Sequence, residues 1–263
     1  MYAFDVVRPK SLDEALAALG EEDAQALSGG QTLIPTLKQR LAMPSKLVSL
    51  TAIDALKGVS LEGRELRIGG ATPHAVVAAE TAESYPALSA LAGNIGDPAV
   101  RNRGTIGGSL ANNDPSACYP AAALGSGATI VTNTREIAAD DYFEGMFATA
   151  LEEGEIITAV KFPVPEKAAY VKFEQPASRF SLVGVFVTKG ADGVRVAVTG
   201  ASNNGVFRWT EAEEALNSNF SADAISGLSA SADDMISDLH GSAAYRAHLV
   251  GVITKRAVTA ANG

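Results

Sequence analysis

Two short stretches hold the residue types that could bind an anion, "ALSGGQTLIPTL" at 26–37 and "RGTIGGSLANND" at 103–114. Each runs from an apolar lead-in through a Gly-Gly pair and a hydroxyl side chain into a helix-like segment. The pairs Gly29-Gly30 and Gly107-Gly108 let backbone N–H groups converge without Cβ interference, and a helix N-terminus adds the positive end of its dipole. Thr32, Thr105 and Ser109 supply hydroxyl donors, and Asn112, Asn113 and Asp114 trail the second stretch. Taken singly, such a pair is more often a plain tight turn than a phosphate site. Two of one design raise the prospect of two linked phosphates. Neither fits G-x-G-x-x-G or the P-loop G-x-x-x-x-G-K-[ST], which disfavours a Rossmann NAD site and a P-loop NTPase and leaves open a diphosphate held in another cradle.

Other chemistry is thin. Cys118 is the single cysteine of 263 residues, so the chain forms no internal disulfide and cannot alone ligate an iron-sulfur cluster. His74, His240 and His248 lie far apart, without metal-ligand spacing. The net charge of -9 and the absence of a Lys/Arg cluster argue against nucleic acid and anionic membranes as partners. The N-terminal "MYAFDVVRPK" has no signal-peptide pattern and no stretch approaches a membrane span, so a cytoplasmic location is expected.

The elements that must position these loops can be read in outline. Ser11 and Glu14 form a capping box for a helix with Leu12, Ala15, Leu16 and Leu19 on one face, ended by Gly20. A strand at 24–28, a helical piece carrying Leu33, Leu37 and Leu41, and a strand at 46–50 complete a small alternating unit. From about residue 58 short strands such as "ELRIGG" and "ATIVTN" interleave with helices starting near Thr72-Pro73 and near Pro86. "FSLVGVFVTKG" and "VRVAVTGAS" read as paired strands around the turn residues Gly190, Asp192 and Gly193, and the remainder from about 209 is Ala- and Ser-rich and reads as mostly helical. A domain boundary is expected near 165, with subdomains of about 1–57 and 58–165 before it and a domain at 166–263 after it.

These stretches together resemble the FAD-binding (medium) subunit of the molybdenum hydroxylase family, of the carbon monoxide dehydrogenase and xanthine dehydrogenase type. "SGGQTLIP" is similar to the family's first flavin loop, A-G-G-x-S-L-[IL]-P, and "IGDPAVRNRGTIGGSLANNDP" to its second, R-N-x-G-T-[IV]-G-G. "YVKFEQPASRFSLVGVFV" resembles K-F-x-x-x-x-S-R-x-x-x-V-G-V, and "SDLHGSAAYRAHLVGVITKRAV" resembles D-x-x-x-S-x-x-Y-R-x-x-L. The likeness runs from end to end. It implies an α+β fold: a two-subdomain FAD-binding region of the PCMH (vanillyl-alcohol-oxidase-like) type, then a C-terminal domain with a three-stranded antiparallel sheet and helices.

The resemblance also implies FAD with its pyrophosphate against both loops. By position the contacts fall on Leu27, Ser28, Gly29, Gly30, Gln31, Thr32, Leu33 and Ile34, on Thr105, Ile106, Gly107, Gly108 and Ser109, and on Ile95, Asp114, Ile157 and Lys172. Read without it, Leu27, Ile34, Ile95 and Ile157 are plain core residues, Lys172 a solvated strand charge and Phe180 a core aromatic. Phe180 sits where relatives often have an aromatic near the isoalloxazine. Arg101 and Arg103 are either phosphate-side charges or surface ion-pair partners. Cys118 stands where relatives commonly carry a carboxylate, and a thiol is a weak acceptor.

The function implied is electron transfer through flavin, with 2Fe-2S clusters on a small subunit and a molybdenum cofactor on a large one, in a complex with two copies of each chain. A free-standing FAD reductase of related fold, like the cell-wall precursor reductases, and a non-catalytic nucleotide-binding or interaction module are the alternatives.

Overall fold

The computed structural model describes residues 1–263. Its first sheet is parallel, with β1 (Asp5–Val7) and β2 (Ala24–Leu27) pairing on either side of β3 (Lys46–Ser49). Parallel neighbours need crossovers. These are α1 (Leu12–Leu19) and α2 (Leu33–Lys38). The Ser11 side chain accepts from the Glu14 amide, and the Glu14 carboxylate accepts from the Lys10 amide, one residue before the expected partner. Leu41, expected on the helix face, lies beyond it: α2 stops at Lys38, Arg40 turns left-handed, and Leu41 is 73% exposed.

The second sheet is antiparallel, in the order β4 (Val59–Glu62), β5 (Glu65–Gly69), β10 (Ile157–Pro163), β6 (Thr129–Thr132), β7 (Glu136–Ala138). Its inner face, including Leu66, Ile68, Val160 and Phe162, is covered by α3 (His74–Glu80), α4 (Pro86–Gly93), α5 (Pro98–Arg101), α6 (Ile106–Asn112) and α7 (Tyr119–Ser126). Burial of these aliphatic and aromatic side chains is the main stabilising term of the region. Every residue of α7 is buried, because it lies between this sheet and the next. Short α8 (Ala139–Tyr142) leads into the hairpin β8 (Phe143–Gly145) and β9 (Ala148–Thr149).

The third sheet joins β11 (Lys167–Glu174), β12 (Ser181–Gly190), β13 (Gly193–Ser202) and β14 (Gly205–Arg208), with α9 (Thr210–Ser218) and α10 (Ala243–Asn262) packed on it. It has four strands where the resemblance implied three. The added β14 is short because the register breaks at Gly200, which has φ +84 and donates its amide to the Pro115 carbonyl. Residues 219–242 hold only one 3-10 turn, Ala222–Ile225, not the helix their composition suggested, since Ser and Asp side chains there bond to nearby backbone. The C-terminal motif has a structural job: Arg246, 3% exposed, makes a two-pronged pair with Asp238 and donates to the carbonyls of Leu182 and Gly200. Burial opposes ionisation of Asp238, but the Arg246 hydrogen bonds and charge hold it below the usual carboxylate range.

Candidate functional site

The two Gly-Gly loops meet. Ser28 Oγ lies 2.7 Å from Thr105 Oγ1 across 77 residues of chain. A Cβ on Gly29 would sit 2.2 Å from the Arg103 carbonyl oxygen, so only glycine allows this approach. Beside the junction opens a cleft of about 870 Å³ lined by both loops, by the 95–97 turn and by the segment 177–180.

The loops differ in what they offer. The amides of residues 29 to 33 have no hydrogen-bond partner within the chain, and Gly30 takes φ +72 where α2 begins. Free amides at a turn that lines a cleft offer the donors of an anion nest. In the second loop the Ile106 amide donates to Thr72 O, Gly107 to Gly70 O at 2.9 Å, and Gly108 to Thr105 Oγ1 at 3.2 Å. Gly107 is therefore a packing glycine: a Cβ there would lie 2.6 Å from the Gly70 carbonyl oxygen.

Of the residues singled out in the sequence, Leu27 to Leu33, Ile95, Thr105, Gly107 to Ser109, Asp114, Ile157 and Lys172 line the cleft. Ile34 and Ile106 do not. The Ile34 side chain packs under Gly30, and Ile106 is fully buried in the core behind the loop. Arg101 and Arg103 also lie off the cleft lining. Arg101 donates to the carbonyls of Ile95 and Gly96, holding that turn, and Arg103 contributes its carbonyl to the contact with Gly29. Asn113 adopts a left-handed conformation and donates to the carbonyls of Gly145 and Ala148, fixing the hairpin to α6.

Lys172 is not the solvated charge its neighbours in sequence suggest. Its side chain is 1% exposed, and Nζ donates to the carbonyls of Asn94 at 2.8 Å and Arg179 at 2.7 Å, with Glu174 at 3.7 Å. Arg179 has φ +61, so the rim that receives this lysine is strained. Phe180 is 55% exposed at the rim, not in the core. Cys118 is buried on the cleft wall.

Sequence reasoning missed His74, Gly70, Gly104 and Glu155. Gly70 and Gly104 are close-approach glycines: a Cβ would meet the Ile157 carbonyl oxygen at 2.1 Å and His74 Nε2 at 2.6 Å. The Gly-Gly of "ELRIGG" was the available signal. Burial, with the Arg101 charge second, lowers the His74 pKa to about 4, so its imidazole is neutral near pH 7. Its Nδ1 and the Tyr119 hydroxyl are buried without partners. Hydrogen bonding from Arg135 holds the Glu155 carboxyl below the usual range.

A free-amide loop against a second glycine loop, in a cleft that a buried cation also lines, fits a dinucleotide that carries a diphosphate. Residues 2–165 match the family model described as the FAD binding domain in molybdopterin dehydrogenase. The chain belongs to that family. It is 34% identical to the carbon monoxide dehydrogenase medium chain of Afipia carboxidovorans, over 97% of this chain and 96% of that one. It is 35% identical to the nicotine 6-hydroxylase medium subunit of Paenarthrobacter nicotinovorans, over 96% and 95%. The reconstituted carbon monoxide dehydrogenase from Oligotropha carboxidovorans superposes with a TM-score of 0.90 at 34% identity, covering 99% of this chain and 98% of that one. The protein is thus an oxidoreductase subunit with an FAD-binding domain, a medium subunit of the molybdenum hydroxylase type. No helix is long and apolar enough to cross a membrane.

Proposed function

We propose that this chain holds FAD in the cleft and acts as the electron-transfer subunit of a cytoplasmic complex, taking electrons from 2Fe-2S clusters on a small partner and passing them to an external acceptor. A large partner carries the molybdenum cofactor, and the assembly is a dimer of heterotrimers. The observation that carries this reading is the Ser28–Thr105 bridge, which brings a loop of free amides and a second glycine loop to one cleft.

In this reading the amides of residues 29 to 33 and the hydroxyls of Thr32 and Ser109 take the pyrophosphate, while Thr105 pins the loops together. Ile95 and Ile157 supply apolar wall, and Asp114 offers a carboxylate whose Oδ1 already caps the Ser116 amide. Lys172, held by two carbonyls, presents a positive charge on the cleft wall beside Cys118 and the 177–180 segment. Bound there, FAD would supply the two-electron store of the chain. The protein contributes orientation, electrostatics and exclusion of water, so the lack of an acid-base constellation is no obstacle. The division at residue 165 follows the same reading, with 1–165 as the cofactor domain and 166–263 closing the cleft through Lys172 and Phe180. Relatives named for carbon monoxide and for nicotine match this chain about equally, which supports placing substrate choice on another subunit.

The test is purification of the tagged chain from its native host. Flavin, iron and molybdenum should co-elute with two further chains, and the complex's substrate should bleach the flavin absorption. A yellow chain without iron or molybdenum would overturn the partner assignment.

A further inference from the structure

A thiol and an amine face each other at the Lys172 end of the cleft. Cys118 is the N-cap residue of buried α7, at the positive end of the helix, and its thiol makes no capping hydrogen bond there. Sγ is 3.9 Å from Lys172 Nζ and 3.7 Å from Ser181 Oγ, and Ser181 Oγ is 2.9 Å from the Tyr170 hydroxyl. Sulfur and nitrogen come from different layers, one from α7 and the other from β11. Both residues line the cleft, and Cys118, 7% exposed, is reached by a small oxidant from that side. The lysine stem can move its amine, since only two carbonyls and Glu174 hold it.

We propose that Cys118 and Lys172 form a redox-modifiable pair: hydrogen peroxide oxidises the thiol in the flavin-free chain, and Lys172 captures it as a covalent crosslink between α7 and β11. The first step breaks the peroxide O–O bond. R–SH and H₂O₂ give R–SOH and H₂O, with sulfur losing two electrons and peroxide oxygen gaining them. In the second step the ammonium passes a proton to the Glu174 carboxylate, 3.7 Å away and open to solvent, and the freed amine attacks sulfur: R–SOH and H₂N–R′ give R–S–NH–R′ and H₂O. The Ser181 and Tyr170 hydroxyls are placed to donate to the sulfenic oxygen as it leaves. The crosslink removes the Lys172 charge and draws it off the Asn94 and Arg179 carbonyls. It is reversed by thiols, which attack sulfur and release the amine. Shielding of the pair by bound FAD rests on the proposed function; the crosslink itself does not.

The full chain, freed of flavin, is treated with hydrogen peroxide and analysed by intact and peptide mass spectrometry. The expected product has lost two hydrogens and joins the peptides of Cys118 and Lys172, and dithiothreitol restores the starting mass. The variants Cys118→Ser and Lys172→Arg should form no link, Lys172→Arg stopping at oxidised sulfur. With FAD at about ten times its dissociation constant, linkage should slow about tenfold, in step with the fraction of free sites. A thiol that stays unreacted, or runs to sulfinic acid with Lys172 free, overturns the crosslink. Flavin uptake is read by absorbance on the same samples, so FAD that binds without slowing linkage overturns shielding alone, and failure of FAD to bind overturns the cofactor reading.

Discussion

At the scale of single residues, Lys172 and His74 decide the character of the cleft. A buried ammonium costs several kcal/mol to desolvate unless it is met by fixed acceptors, and the Asn94 and Arg179 carbonyls are those acceptors. Lys172→Met keeps the stem and removes the charge. It should weaken FAD binding by at least about tenfold, or ~1.4 kcal/mol, with an unchanged circular dichroism spectrum. Binding by the variant at wild-type affinity would remove Lys172 from the site. His74 makes a pH prediction of definite sign. The unfolded chain protonates near the ordinary 6.5, whereas the folded imidazole resists until about 4. The unfolded state therefore binds more protons between those values, and stability falls as pH falls through that window, by on the order of 3 kcal/mol for this group. His74→Gln should flatten that part of the pH dependence, measured by urea unfolding at about pH 7 and about pH 4.5. An equal slope in both proteins would assign the loss to other groups.

At the scale of elements, the glycine loops were legible from sequence as a pair, because Gly-Gly beside a hydroxyl leaves a local signature. Their division of labour was not. Which amides remain free depends on the carbonyls of Gly70 and Thr72, which reach the second loop from the end of β5, and no local pattern encodes that meeting. Gly107→Val, at a position the resemblance gives as a cofactor contact, drives a side chain into the Gly70 backbone and should disturb the fold. Lys172 and Phe180 show the same limit in opposite directions. A charge on a strand is buried, and an aromatic read as strand core is exposed, because Phe180 precedes β12 in the 177–180 segment that lines the cleft and whose Arg179 carbonyl receives Lys172. Asn113 illustrates an element held at a distance. Its two bonds to the β8–β9 hairpin and its left-handed backbone make Asn113→Ala costly by about 2–3 kcal/mol, from lost hydrogen bonds and strain. Hydrogen exchange should rise first in residues 143–149; uniform exchange across the chain would show that Asn113 acts elsewhere.

At the scale of the whole molecule, three sheets surround one cleft, and α7 is the piece shared between two of them. Gly125 in α7 rests on Phe186, and its carbonyl accepts from Thr188, so the helix that begins at Cys118 is fixed by the C-terminal sheet. The strand pair at 181–202 could be read from periodicity and the α+β class followed from the resemblance, while the fourth strand and the irregular 219–242 segment arise from tertiary pairing at Gly200 and Asp238. The central claim is that this cleft holds FAD through the first loop's free amides. Titration of the purified full chain with FAD, followed by flavin fluorescence and absorbance, tests it most directly when run beside Gly29→Ala, whose Cβ would collide with the Arg103 carbonyl and part the two loops. The wild type should bind a single FAD per chain saturably, and a folded Gly29→Ala variant none. A wild-type chain that takes up no FAD, or a variant that binds it equally well, would contradict it.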